Sequence, residues 1–191
     1  MVKIYTKKGD NGMTSLASGE RVGKDFSRIC AYGDVDELNA ALGVCRHSAD
    51  DDKYLGGILK FLQSDLFVLG ADLAMPLKVG AFGQGKSARG GVVRIKSADI
   101  KKLEKLIDKI ESKLKPLKNF ILPDGCEAAA FLHLARTVCR RAERAVAALA
   151  KKEKINPETI KYLNRLGDLL FVMARYANMK EGVKEDKWTR D

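Results

Sequence analysis

Residues 124–152 of the chain, DGCEAAAFLHLARTVCRRAERAVAALAKK, decide its fold. Asp124, with Glu127 three positions later, is a capping pattern that marks the start of a helix. The apolar side chains that follow recur at spacings of three and four and form one stripe: Phe131, Leu134, Val138, Ala142, Ala145 and Leu149. The segment therefore predicts a long amphipathic helix that ends near Lys152.

Four more segments predict helices around this one. Their bounds are residues 34 to about 47, 54–75, 97–116 and 157 to about 180, with Asp34, Ser97 and Asn156 as caps. The second and the last of the five helices have clear apolar stripes: Leu55, Ile58, Leu62, Leu66, Leu69 and Leu73, then Leu163, Leu166, Leu170, Met173 and Ala177. Few segments alternate with period two, so we predict an all-α fold, a five-helix up-and-down bundle.

A chain of 191 residues suits one domain. We predict that it has three parts: an irregular N-terminal arm, the helical bundle and a C-terminal tail, at residues 1–33, 34–180 and 181–191. A short strand is expected in the arm near residues 3–6.

The composition favours a soluble cytoplasmic protein with a polyanionic ligand. No apolar run approaches the ~20 residues that span a bilayer, and the N-terminus has no apolar signal core. The four cysteines form no C-x-x-C pair, so neither a disulfide nor a zinc site is expected. The net charge of +10 suits a nucleoside triphosphate better than a nucleic acid, because aromatic residues make up only 7% and do not alternate with basic ones.

The N-terminal arm is the first candidate binding segment and reads YTKKGDNGMTS at residues 5–15. Glycines let backbone N–H groups converge on an anion, hydroxyls donate to phosphate oxygens, and lysines add positive charge. An ordinary polar turn has a similar composition and stays an alternative.

Two helix faces are further candidates. Arg136, Arg140 and Glu143 share one face of the fourth helix, which suits phosphate or carboxylate binding but also an ordinary solvated face with ion pairs. The fifth helix places Asn164, Asp168, Phe171 and Arg175 on one face, for a ligand or for a helix contact. His133 lies within the fourth helix and is interpreted as structural.

Residues 80–87, GAFGQGKS, match the pattern of a P-loop. That motif needs a buried strand before it and a helix after it, whereas here a long helix ends at Pro76 and the sequence ARGG follows. We therefore interpret residues 77–96 as a glycine-rich loop, and a P-loop NTPase centred on Lys86 stays an alternative function.

The chain resembles the PduO-type ATP:corrinoid adenosyltransferases nearly from end to end. The blocks that carry the resemblance are YTKKGDNGMTSL (5–16), GERVGK (19–24) with AYGDVDELNAAL (31–42), LQSDLFVLGADLA (62–74), FILP (120–123) leading to CRRAER (139–144), and YLNRLGDLLFVMAR (162–175).

The resemblance implies a homotrimer with active sites between neighbouring subunits. It implies a triphosphate site lined by Thr6, Lys7, Lys8, Gly9, Thr14, Ser15 and Lys24, and completed by Arg140, Glu143, Arg144 and Asn164. It further implies that Asp36 pairs with Arg136 of another subunit, and that Phe120 and Phe171 lie on the corrin side.

The activity so implied is transfer of the 5′-deoxyadenosyl group of ATP to Co(I) of cobalamin or a related corrinoid, with Mg²⁺ on the triphosphate. A corrinoid reductase and a cobalamin-dependent enzyme are expected as partners, with no nucleic acid and no membrane. Phe120 would form an apolar wall that excludes the lower axial ligand of cobalt. For Phe120, the alternative is a hydrophobic staple that packs on the fourth helix. For the whole chain, a further alternative is a helical interaction module without catalysis.

Overall fold

The computed structural model describes residues 3–77 and 93–190, and within them the chain forms two short strands and five helices. The elements are β1 (Met13–Ser15), β2 (Arg21–Gly23), α1 (Ser27–Ser48), α2 (Lys53–Ala74), α3 (Ser97–Glu111), α4 (Glu127–Ala150) and α5 (Glu158–Lys180). The predicted all-α five-helix fold is confirmed. The strands pair antiparallel, with Thr14 opposite Val22. The strand predicted at residues 3–6 is wrong, because that segment has no strand partner.

The helices form a closed bundle. α1 packs against both α2 and α4, α4 packs against α5, and α5 packs against α3 and, over a smaller contact, against α2. Connections of a few residues join α1 to α2 and α4 to α5, which favours antiparallel neighbours. α4 thus has covered faces on two sides, one towards α1 and one towards α5.

The start of α1 was predicted wrongly. The helix begins at Ser27 rather than at Asp34, so the boundary between arm and bundle lies earlier than residue 34. Arg28 is only 1% exposed, donates to Glu153 at 2.7 and 3.1 Å, and also bonds the Leu73 carbonyl. These contacts fasten the first turn of α1 to the C-terminal ends of α2 and α4. No local sequence pattern predicts them.

The apolar stripes predicted for α2 and α5 are buried as expected. The stripe predicted for α4 is confirmed only in part. Ala142 and Leu149 are buried, but Leu134 is 57% exposed, and the other buried residues lie outside the predicted stripe: Ala129, Leu132, His133, Ala135, Cys139 and Val146. Small side chains let α4 lie close to both α1 and α5, and the larger residues of the predicted stripe lie partly outside that double contact.

The chain end is fastened to the segment that precedes α4. Leu122 N–H donates to the Asp186 carbonyl at 2.8 Å, and Trp188 N–H donates to the Phe120 carbonyl at 2.9 Å. Arg175 is buried in α5 and donates to Glu185 at 2.7 Å. The tail is therefore an ordered strap rather than a loose end.

The turn into α4 is locked by a buried amide. Asn178 Oδ1 accepts from Cys126 N–H at 2.9 Å, and Asn178 Nδ2 donates to the Asp124 carbonyl at 3.1 Å. Gly125 lies between these two bonds with φ at 132°, and a side chain there would overlap the Asn178 amide. Asn156, predicted as the cap of the fifth helix, accepts from Glu158 N–H at 3.2 Å, although α5 itself begins at Glu158.

Across the described residues, no helix combines the length and the apolar character that a membrane span requires. All four cysteines are free thiols.

We predict that Gly125→Ala lowers the free energy of unfolding by about 2–4 kcal/mol, because the methyl group displaces Asn178 and breaks two buried hydrogen bonds in a strained backbone. Urea denaturation measures the loss. Gly19→Ala is the control: its φ is also positive, at 88°, but nothing lies within 4 Å of the added carbon. It should lose only about 1 kcal/mol from backbone strain. Equal losses in both variants would contradict the role of Asn178.

Candidate functional site

A cavity of about 420 Å³ lies between α3, α4 and α5. Its lining combines three arginines, four carboxylates and a mostly apolar floor: Arg136, Arg140 and Arg165; Glu104, Asp108, Glu111 and Asp168; Ile107, Gly167, Phe171 and Val172. Two of the predicted arginines and the predicted Phe171 therefore meet in one place. The acidic residues of α3 were not predicted as part of a site, because the charged face of that helix has the pattern of a solvated surface.

The predicted face of α4 is present in the structure. Arg136 and Arg140 line the cavity one turn apart, and Glu143 continues the face towards α5. There Asn164 Nδ2 donates to Glu143 Oε1 at 3.0 Å, so these two predicted residues also meet. Arg140 is exposed and forms no ion pair with any described residue, which leaves its guanidinium available to an anion.

Arg144 lies elsewhere. It lines a second cavity, of about 580 Å³ between α1 and α4, beside the Arg141–Glu37 ion pair. Arg144 follows Arg140 by one turn, so the two lie near each other on α4, but Arg144 lines the α1–α4 cavity and not the cavity that holds Arg136 and Arg140.

The Phe171 ring contacts two side chains of α4. The Arg136 guanidinium carbon lies 5.9 Å from the Phe171 ring centroid, and the His133 ring centroid lies 6.0 Å from it, tilted by 59°. Burial lowers the pKa of His133, and the nearby Arg136 charge lowers it further. The imidazole is therefore neutral near pH 7.

The carboxylates of the cavity are partly neutralised by Arg165. Its guanidinium donates to Glu104 at 3.2 Å and to Asp168 at 3.0 Å. With three arginines against four acidic residues, the cavity of a single chain carries no excess of positive charge. A triphosphate would need cations from somewhere else.

The N-terminal arm gathers cations and hydroxyls on a tight turn. Lys7 has φ at 59°, and Lys8 N–H points to Thr6 Oγ1 at 3.5 Å. Lys24 N–H donates to the Gly12 carbonyl at 2.8 Å, and its side chain lies against Gly9, where an added carbon would be 3.3 Å from Lys24 Nζ. The predicted arm residues therefore form one exposed, mostly basic group, with Thr14 and Ser15 on β1.

The paired strands of the arm and the α4 face do not meet within one chain. No residue of β1 or β2 comes within 8 Å, Cα to Cα, of any residue in α4 or α5, and no residue of the arm lines the cavity beside α4. In a single copy the arm therefore contributes nothing to the lining of that cavity.

Asp36 and Arg136 are also apart. Asp36 is exposed and lines a cavity of about 380 Å³ between α1 and α2, next to the exposed Phe67. Arg136 belongs to the cavity on the far side of α4. Neither side chain forms an ion pair within residues 3–77 and 93–190.

Phe120 is 82% exposed, in the segment fastened by the C-terminal strap. The alternative that it is a hydrophobic staple is not supported, because the side chain does not pack on α4. The P-loop-like segment at residues 80–87 lies outside the described residues.

Comparisons with known proteins agree over most of the chain. A family model described as cobalamin adenosyltransferase matches residues 4–177. A cobalamin adenosyltransferase of Cupriavidus metallidurans is 40% identical over 189 residues, which are 99% of this chain and 95% of that protein. A corrinoid adenosyltransferase of Mycobacterium tuberculosis is 41% identical over 180 residues, 93% and 90% of the two chains.

Solved structures give the same result. A variant PduO-type ATP:corrinoid adenosyltransferase from Lactobacillus reuteri, complexed with cobalamin and ATP, superposes with a TM-score of 0.87 at 34% identity. The match covers 98% of this chain and all of that one.

Proposed function

The chain belongs to the cobalamin adenosyltransferase family, and we propose from its geometry that its ATP site is formed by the arm of one copy and the α4–α5 face of another. The protein transfers the 5′-deoxyadenosyl group of ATP to Co(I) of a corrinoid, giving adenosylcobalamin and triphosphate. This assignment displaces the two alternatives, a P-loop NTPase and a non-catalytic helical module.

The reaction needs positioning and charge rather than a side-chain base. Co(I) donates an electron pair to the ribose C5′ carbon, the C5′–oxygen bond breaks, and the triphosphate leaves with that bond's electrons. The leaving group gains negative charge, which cations placed around it stabilise. Holding C5′ over the cobalt can contribute ~7–11 kcal/mol.

The division of cations supports a site shared between copies. The cavity beside α4 carries three arginines but four carboxylates, whereas the arm carries Lys7, Lys8 and Lys24 close to hydroxyls. The arm can therefore supply the excess of positive charge that the cavity lacks and that a triphosphate needs. The separation of the two groups within one chain is the observation that carries this proposal.

Within this site we assign each predicted residue a role. The triphosphate is bound by three lysines of the arm, Lys7, Lys8 and Lys24, and by the backbone at Gly9. The nearby hydroxyls of Thr6, Thr14 and Ser15 complete this part of the site. Arg140 contacts the phosphates from α4, with Arg144 of the same or a neighbouring copy as a further cation. The Asn164–Glu143 pair offers an amide and a carboxylate for the ribose or base.

The assembly is a homotrimer in this proposal. Asp36 with Phe67 and Arg136 with Phe171 lie in different cavities, on either side of the central α1–α4 pair. Two complementary patches on different faces make a head-to-tail contact, which closes into a ring when the rotation allows it. Asp36 of one copy would then meet Arg136 of the next.

Mg²⁺ would enter with the triphosphate. Among residues 3–77 and 93–190, no cluster of three or more His, Cys, Asp and Glu side chains could hold a metal ion. Mg²⁺ usually keeps several waters and binds through substrate phosphates with one or two protein oxygens, and the arm hydroxyls suit this mode. The ion would neutralise charge on the departing triphosphate.

Phe120 would cover one face of the corrin. An aromatic side chain with 82% exposure, on a segment held by a strap, is free to pack on a large apolar ring. Excluding the lower axial ligand in this way makes Co(II) four-coordinate and easier to reduce. Phe171 would meet the corrin from the cavity side. A cytoplasmic location, a reductase partner and a cobalamin-dependent client enzyme stay predictions.

We predict that Arg140→Ala raises KM for ATP at least tenfold or abolishes turnover, because a charge-assisted contact to phosphate is lost. The assay follows cobalt–carbon bond formation from chemically reduced cobalamin. Arg141→Ala is the matched control, since Arg141 points to the α1–α4 cavity and pairs with Glu37. Near-parental ATP kinetics in Arg140→Ala would contradict the site.

We predict that Asp36→Asn weakens the trimer. The change leaves Arg136 without its partner in the interface, which can lower the free energy of association by ~3–5 kcal/mol. The double variant Asp36→Asn with Arg136→Gln should recover part of this loss, because no charge is then left unpaired. Sedimentation velocity over a range of concentrations measures the assembly. A fully active monomer would contradict the proposal.

We predict that Phe120→Ala leaves KM for ATP and the melting temperature nearly unchanged, since the side chain is exposed, while the rate from Co(II) collapses. The rate from preformed Co(I) should fall less. Spectroscopy of Co(II)cobalamin with ATP should lose the four-coordinate signal. Leu122→Ala, in the same segment, is the control and should keep that signal. A four-coordinate signal of parental intensity in Phe120→Ala would mean that another residue excludes the axial ligand.

A further inference from the structure

His133 is a buried polar residue that has no role in adenosyl transfer in the site proposed for ATP and the corrinoid. It lies on α4 and is only 2% exposed. A histidine buried in a helix bundle usually forms hydrogen bonds that join elements. Among the described residues, however, neither Nδ1 nor Nε2 of His133 has a hydrogen-bond partner. A role as a hydrogen-bonded link is therefore not available to it.

The contact that His133 does make leads to the proposed site. Its ring packs against Phe171 of α5, and Arg136, one turn along α4, lies over the same Phe171 ring. Arg136 Nε is likewise buried without a partner in the described part of the chain. The Phe171 ring thus contacts both an imidazole and a guanidinium of α4.

The charged groups near His133 come from three elements. Arg136 lies on its own helix, Asp124 lies in the turn before α4, and Glu185 lies in the C-terminal strap. Burial and Arg136 lower the pKa of His133, while the two carboxylates act in the opposite direction. A protonated imidazole would add a second cation beside Arg136.

We propose that His133 is a positioning residue for adenosyl transfer, which packs against the Phe171 ring and through it orients the Arg136 guanidinium. The inference rests on the proposed function, because Arg136 and Phe171 matter only if the cavity between α3, α4 and α5 is the site. His133 itself does not line that cavity, so it acts through its neighbours.

This role needs a flat, uncharged ring. A leucine fills the space but lacks the flat face, so Phe171 and Arg136 lose their fixed positions. A phenylalanine keeps a flat ring and cannot gain a proton. As pH falls through the lowered pKa of His133, the parent protein gains a charge next to Arg136, whereas the phenylalanine variant does not.

The test compares His133→Leu, His133→Phe and the control His47→Leu, which changes the only other histidine, exposed on α1. Trimeric enzyme is assayed with chemically reduced cobalamin and Mg-ATP at pH 7.5 and pH 6.0, and melting is followed at both. In His133→Leu we expect kcat to fall roughly tenfold while KM for ATP stays within about threefold, because geometry rather than binding is disturbed. In His133→Phe, kcat at pH 7.5 should return to within about threefold of the parent, because the parental imidazole is also neutral there.

Two results would overturn the inference. One is parental kcat in His133→Leu at both pH values. The other is an equal loss of kcat in both His133 variants accompanied by an equal loss of melting temperature, which would indicate a packing role alone. Arg140→Ala in the same assay separates this inference from the proposed site. Unchanged kinetics in Arg140→Ala would contradict the site itself. Impaired kinetics in Arg140→Ala, together with parental kinetics in the His133 variants, would contradict only the role of His133.

Discussion

The contact of α4 with two neighbours at once is the constraint on which the rest of the structure depends. Because α1 covers one side of α4 and α5 covers another, small residues such as Ala135 and Cys139 fill its buried faces. The remaining face of α4 carries the polar groups. Its arginines line two different cavities: Arg136 and Arg140 line the cavity beside α5, and Arg141 and Arg144 line the cavity beside α1. The chemistry of the protein is distributed according to this division.

The same division bears on the site that we propose for ATP. The strands of the arm lie more than 8 Å, Cα to Cα, from α4 and α5 in their own chain, and the cavity beside α4 lacks an excess of positive charge. If the arm of one copy completes the cavity of another, as proposed, a dissociated chain offers a triphosphate only one of the two groups. Assembly and ATP binding would then be coupled, so that conditions that separate the copies would also weaken ATP binding.

Much of the fold could be predicted from periodicity, because α2 and α5 bury long stripes of large apolar residues. The stripe of α4 could not, since a helix packed on two sides buries alanine and cysteine and leaves Leu134 exposed. The start of α1 depends on Arg28, whose partners lie 45 and 125 positions away in the chain. In the candidate site, helical spacing predicted that Arg136 and Arg140 share a face. It could not predict that Arg144 lines a different cavity or that His133 packs against Phe171, because both depend on which neighbour covers each side of α4.

The strap that fastens Phe120 makes the support of that residue depend on one short exposed segment. Residues 186–188, which pair with the Phe120 segment, follow α5 through the exposed residues 181–184. Exposed segments of this kind are preferred sites of proteolytic cleavage. A cut there would leave the five helices continuous but would separate the strap from the bundle. The arginines of α4 would keep their places, while the segment that carries Phe120 would lose its anchor.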